Sequence, residues 1–178
     1  MTAAKAAVQA HGYNALSFRE IAKEVGIKSA SVHYHFPTKG DLATALARRY
    51  TEDGSAYLTQ LLVTSRDPAW CIDRYAEIFR AALVNENRMC LCGIMSAELA
   101  DLPLEVRAEI NKFTEVNVEW LMQVLALANP DTSEHARREH AMAIYSAVEG
   151  AQLVARGHAD VTVYDNAIRT YRLTGLLP

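Results

Sequence analysis

Between Ser17 and Pro37 the sequence encodes two helices too short to stand alone, with a single glycine between them. Ser17-Phe18-Arg19-Glu20 is a capping box, in which the Ser hydroxyl accepts from the amide three residues on and the Glu side chain reaches back. Phe18, Ile21, Ala22 and Val25 then fall on one helical face. Gly26 stops this helix after about two turns, well short of a usual helix. It can also adopt the left-handed conformation that redirects the chain. A second helix is predicted over Ser29–His35, with Val32 and Phe36 facing inward, until Pro37 ends it. Ala22 must be small because the two helices cross closely there, and Val32 supplies the apolar contact that fastens the second to the first. This is a helix-turn-helix pattern, and it leaves the outer face of the second helix free.

The rest of the chain has the same helical character. Apolar residues recur at helical spacing almost throughout, and no stretch alternates as a strand would. Breakers are sparse: Gly12, Gly26, Pro37, Pro68, Pro103, Asn129-Pro130 and Gly157. An Ala-rich helix is predicted over Thr2–His11, ended by Gly12. Thr38 and Asp41 form the acidic variant of the capping box and open a fourth helix that runs through Leu42, Leu46 and Tyr50 towards Leu62. Longer amphipathic helices are predicted over 68–86, Leu104–Ala128, 133–156 and 160–174, with a short one after Arg88. The fold class expected is all-α, with about nine helices. A three-helix helix-turn-helix domain occupies 1–46, and a ligand-binding and dimerisation domain occupies 47–178.

Charge is divided along the chain. The net charge is −3. Residues 1–50 hold seven Lys or Arg against three Asp or Glu, a net of +4, whereas the remainder holds eleven against eighteen, a net of −7. A basic head on an acidic body suits a protein that presents only its head to phosphate. No apolar run is long enough to span a bilayer, and no basic region followed by an apolar stretch marks a signal peptide. Three cysteines, an odd number, fit a reducing compartment, so a cytoplasmic protein is expected. No phosphate-cradling glycine loop, Gly-x-Ser-x-Gly elbow or His-Glu-x-x-His is present, which argues against an enzyme. His135 and His140 are five apart, on different helical faces, and Glu115 with Glu119 reads as a solvated face. No metal site or cofactor is expected.

The outer face of the second short helix reads Lys28, Ser29, Ser31, His33, Tyr34 and His35. These side chains can donate to phosphates or base edges, and none is acidic. Lys39 lies in the first turn of the next helix, where the helix N-terminus also favours phosphate. The run Gly12-Tyr13-Asn14-Ala15-Leu16-Ser17-Phe18-Arg19-Glu20-Ile21-Ala22, continued by Ser31-Val32-His33-Tyr34-His35-Phe36-Pro37-Thr38-Lys39-Gly40-Asp41-Leu42, resembles the DNA-binding domain of the TetR/AcrR family. The resemblance implies a homodimer that binds double-stranded DNA at a palindromic operator, usually as a repressor released by a small-molecule inducer. Carried over position by position, the groove-facing residues are Lys28, Ser29, Ala30, Ser31 and His33. The phosphate-contacting ones are Ser17, Tyr34, His35 and Lys39. Lys28 stands where the family commonly has a Ser or Thr cap, and His33 where it usually has Tyr. Both departures should alter operator choice rather than abolish binding. The basic and Ile-Leu residues that often precede the family's first helix are missing, which implies a start further upstream.

In the second domain, Tyr75, Phe79, Met95, Phe113, Asn117, Trp120, Tyr145 and Gln152 combine aromatic bulk with polar handles, as ligand pockets do. The same residues would serve equally as core. Ala143, Ala147, Ala151 and Ala155 repeat every four residues beside Ser146 and Gly150, a smooth stripe that a second helix can approach. The resemblance implies that the last two helices form a four-helix dimer interface. The run Arg88-Met89-Cys90-Leu91-Cys92-Gly93 is similar to the corresponding segment of TetR-type repressors that sense electrophiles through a cysteine, with Cys90 at the matching position. A thiol at a helix N-terminus near Arg88 would be more ionised, although both Cys90 and Cys92 also read as small buried hydrophobes. The competing reading is a helical small-molecule-binding protein with no DNA-binding activity. It leaves the charge-split head unexplained.

Overall fold

The computed structural model describes residues Met1–Pro178. It is all-α, with nine α-helices and two 3-10 turns: α1 Thr2–His11, α2 Phe18–Val25, α3 Ser29–His35, α4 Lys39–Thr64, α5 Pro68–Val84, α6 Leu91–Ser96, α7 Leu104–Ala128, α8 Glu134–His158 and α9 Val161–Leu173. The turns are Tyr13–Ala15 after α1 and Leu99–Asp101 after α6. The chain clusters into two compact units, Met1–Glu52 with Cys90–Phe113, and Asp53–Met89 with Thr114–Pro178. α4 and α7 are continuous helices that belong to both.

The first unit is built around α1, α2, α3 and the start of α4. Its core takes Ala3, Ala4 and Val8 from α1, Ile21 and Ala22 from α2, Val32 from α3, and Leu42, Ala43, Leu46 and Ala47 from α4, all buried. Small residues predominate, so these short helices pack closely. Val25, expected on the apolar face of α2, is 49% exposed, because the helix ends beside it at Gly26. α6, the turn after it and the start of α7 pack in the same unit.

The second unit packs α5 against α8 and α9. Three of its buried polar side chains bond backbone carbonyls, as burial favours. Gln152 Nε2 donates to the Phe79 carbonyl at 2.7 Å, and the Tyr164 hydroxyl donates to the Ala76 carbonyl at 2.8 Å. Trp120 Nε1 donates to the Leu58 carbonyl at 2.6 Å. Burial pushes the Tyr164 phenol far above its ordinary pKa. Arg80 adds a two-pronged ion pair to Asp165 at 2.7 and 2.9 Å. Both side chains are about two-fifths exposed, so the pair contributes little beyond alignment.

Two expectations for α8 are corrected. Gly157 does not end the helix. α8 continues to His158, and Ala159 ends it in the left-handed region, φ 52° and ψ 33°. The chain turns there because Asp160 at once caps α9, accepting from the Thr162 amide at 2.9 Å. The alanine stripe does not lie on one outward face either. Ala143 is exposed, whereas Ala151 and Ala155 are buried. Residues four apart advance by about 40° round a helix, so such a series winds from surface to core. The outward face instead carries Met142, Ala143, Ser146, Gly150, Leu153, Val154 and Gly157.

Ala159 carries a Cβ where the backbone favours none. Ala159→Gly should therefore stabilise the fold by about 0.5–1 kcal/mol. Urea denaturation measures this, and a decrease in stability would show that the left-handed cap is not strained.

Candidate nucleic-acid interface

Each end of the helix-turn-helix is set by a local hydrogen bond. Ser17 Oγ accepts from the Glu20 amide at 3.4 Å and opens α2. Gly26, at φ 73° and ψ 29°, closes it, with the Gly26 amide reaching Lys23 O at 3.3 Å and the Ile27 amide reaching Ala22 O at 2.9 Å. These paired bonds satisfy carbonyls that the helix end would otherwise leave open. α4 begins with a complete reciprocal box. The Asp41 amide donates to Thr38 Oγ1 at 3.1 Å, while the Thr38 amide and hydroxyl donate to Asp41 Oδ2 at 2.9 and 2.8 Å.

α3 presents a polar outward surface. Lys28, Ala30, Ser31, His33, Tyr34 and His35 are exposed, and Ser29 is half-buried. Tyr34 is 83% exposed, far more than an aromatic ring usually is in a folded domain. Its ring meets His35 edge-on at 5.3 Å. His33 packs edge-on against Phe18 at 4.5 Å. Phe18, which the sequence suggested only as core, thus orients a candidate base-reading side chain. Lys28 is the N-cap of α3, with no side-chain cap bond.

Ser17 and Lys39 have their own settings. Ser17 is half-buried, its hydroxyl committed to the α2 cap. Lys39 Nζ donates to the Asn14 carbonyl at 3.1 Å and sits 4.4 Å from the centre of the Tyr13 ring. Burial lowers the Lys39 pKa, while the carboxylates of Glu98 and Asp101 push the other way. Burial, assisted by Asp101, raises that of Tyr13. The carboxylates come from Glu98 and the turn that follows it, some 85 residues from Tyr13 in sequence. No local pattern announces them.

The same fold recurs in known proteins. Residues 1–46 match the family model described as bacterial regulatory proteins, tetR family. A TetR transcriptional regulator from Legionella pneumophila is 34% identical over 97% of this chain and 93% of its own, with a TM-score of 0.90. The chain belongs to the TetR family. A TetR-family regulator from Agrobacterium tumefaciens is 28% identical over 95% of this chain and 91% of its own, at a TM-score of 0.85. The reduced form of NemR from E. coli shares the fold at 20% identity, over 95% of this chain and 91% of its own, with a TM-score of 0.82. No curated protein matches the chain. TetR-family proteins are DNA-binding transcriptional regulators, often modulated by ligands, and they act by binding rather than by catalysis.

The other sequence-derived candidates of this TetR-family chain lie in both units. In the second unit, Tyr75 stacks on Trp120 at 5.3 Å and meets Phe79 edge-on at 5.2 Å, and its hydroxyl donates to Asn117 Oδ1 at 3.1 Å. Gln152 binds the Phe79 backbone, and Tyr145 is half-buried with its hydroxyl 3.5 Å from Thr114 Oγ1. Met95 and Phe113 are buried in the first unit, where Phe113 lies 5.4 Å from the Tyr50 ring. Cys90 and Cys92 are buried and not in a disulfide. Cys90 is the N-cap of the six-residue α6, with the Tyr50 hydroxyl 3.8 Å from its Sγ. The Arg88 guanidinium pairs with Glu86. No group of three or more His, Cys, Asp or Glu side chains is placed to hold a metal ion, and no helix is long and apolar enough to cross a membrane.

Because Lys28 gives α3 no side-chain cap, Lys28→Ser should stabilise the fold by about 0.5–1 kcal/mol. Guanidinium denaturation tests this, and an unchanged midpoint would mean that the first amides of α3 are already satisfied.

Proposed function

We propose that this chain is a cytoplasmic, homodimeric transcriptional repressor that binds a palindromic operator and is released by a small ligand or by thiol modification. The observation that carries the reading is the outward surface of α3. It is exposed, polar and free of acidic groups, on a helix held by a tight left-handed turn. Lys28, Ser29, Ala30, Ser31 and His33 face the major groove, and Ser17, Tyr34, His35 and Lys39 hold phosphates. Residues 1–46 form the DNA-binding domain and 47–178 the sensing and dimerising one.

Two copies associate through the outward face of α8 together with α9. Apolar side chains there (Leu153 is 51% exposed and Val154 52%) stand beside Gly150 and Gly157, where an added Cβ would meet nothing within 4 Å. A face that is both smooth and apolar favours close helix contact. The ligand enters among the aromatic side chains of the second unit, Tyr75, Phe79 and Trp120, with Asn117, Tyr145 and Gln152 supplying the polar contacts. α4 carries the change to the head, since one unbroken helix runs from the Thr38 cap to Thr64. Alkylation or oxidation of Cys90 or Cys92 needs their surroundings to open, because both are buried.

The test is selection of bound duplexes from a random DNA pool, followed by a salt titration on the winner. A palindromic consensus with steep salt dependence is expected, and absence of enrichment would leave a helical ligand-binding protein as the better account. On the selected duplex, Lys39→Ala should weaken binding to all sequences and reduce the salt slope by about 1. His33→Ala should change which bases are preferred, by about 1–3 kcal/mol at one position. Equal scaling by both variants would refute the assignment of phosphate and base contacts. Gly150→Arg should give monomers in sedimentation equilibrium with helix content retained, and a persistent dimer would move the interface elsewhere.

A further inference from the structure

Within the first unit, the segment Cys90–Phe113 holds the helix-turn-helix head at three places. Glu98 is the most specific of them. Its carboxylate accepts from the backbone amide of Tyr13, and at 3.5 Å from that of Asn14. The Asn14 side chain completes the contact, donating to Glu98 Oε1 at 3.4 Å and to Asp101 Oδ2 at 2.9 Å. Gly12 makes room for it. Its φ is +82°, and a Cβ there would lie 2.4 Å from Glu98 Oε2. The second place is Gly40, where a Cβ would lie 3.1 Å from Pro103 Cγ. The third is the ion pair of Arg48 with Glu109 at 2.7 Å.

We infer that Glu98 is a positioning residue for DNA binding, the group by which the α6 segment fixes the turn Tyr13–Ala15 and, through it, Lys39. The chemistry supports a rigid link. A carboxylate that accepts from backbone amides makes charge-assisted bonds, stronger than neutral ones. The amides belong to the turn whose Asn14 carbonyl and Tyr13 ring hold the Lys39 ammonium. Glu98 follows closely on α6, the short helix whose N-cap is Cys90. Displacement of α6 therefore pulls on the turn beside Lys39, at the first residue of α4. This role rests on the DNA-binding reading above.

The test uses the full chain and the selected duplex, with Glu98→Ala, which removes both acceptors, and Glu98→Gln, which keeps one. In Glu98→Ala the Tyr13 and Asn14 amides should exchange with solvent about tenfold faster, as a lost local bond implies. Operator affinity should fall by about tenfold, with the salt slope reduced by no more than the value of about 1 expected for Lys39→Ala, because only the Lys39 contact is loosened, and with the active fraction by stoichiometric titration unchanged. Glu98→Gln should recover affinity to within about threefold of the parent. Faster exchange with undiminished affinity would overturn the positioning role, as would unchanged exchange or a salt slope that falls by clearly more than about 1. Should Glu98→Ala fail to fold, Glu98→Gln decides on the same measurements: weakened binding with parental exchange refutes the inference. If the parent chain itself selects no duplex, the DNA-binding reading fails and the inference with it, a result distinct from a loss confined to the variants.

Discussion

Helices of eight and seven residues do not persist alone in water, because fixing the first turn costs more than its few hydrogen bonds return. α2 and α3 therefore depend on burying Ile21, Ala22 and Val32 with the apolar sides of α1 and α4. That burial uses one stripe on each short helix. Most of the outer side of α3 is left exposed by the fold, with only His33 packed against Phe18, so its side chains are largely free of core duty. The left-handed turn at Gly26 makes this arrangement possible, since a longer connection would let α3 rotate and a continuous helix would hide its outer face.

The electrostatics of the first unit follow from the same division. The outer face of α3 has no carboxylate, as a phosphate-binding surface requires. Carboxylates are instead directed at backbone amides and capped helix starts. Asp41 closes the α4 box, and Glu98 and Asp101 hold the turn after α1. A negative group placed this way stabilises the head without cancelling the charge that draws it to DNA. The Lys39 ammonium completes the turn and stands at the start of α4.

In the second unit three buried polar side chains meet partners within the unit. Gln152, Trp120 and Tyr164 each bond a backbone carbonyl. Such bonds add little net stability when made and cost much when broken, so they favour one packing of α5 against α8 and α9 over its near alternatives. Arrangements of this kind suit a sensing domain, because a ligand that re-pairs one buried group shifts the balance between two discrete packings. The outward face of α8 is the converse case: apolar and smooth, it gains nothing until another surface covers it.

The sequence by itself determined the all-α class, the two short helices and nearly every helix end. Those features are local: Ser17, Thr38 and Asp160 cap within three residues, Gly26 turns within two, and α1, α3 and α7 begin and end where spacing predicted. The exposed face of α3 was legible for the same reason, its residues lying close together on one short helix. Tertiary structure decided the rest. Gly157 was passed over because helix propensity yields to packing, and the next residue that could turn was Ala159. The alanine series winds round α8 by its own spacing, but which of its residues are buried depends on where α5 and α9 lie. Phe18 beside His33, and Glu98 on the amides of Tyr13 and Asn14, join positions 15 and some 85 residues apart. Such contacts arise only when the chain folds back on itself, and no local periodicity encodes them.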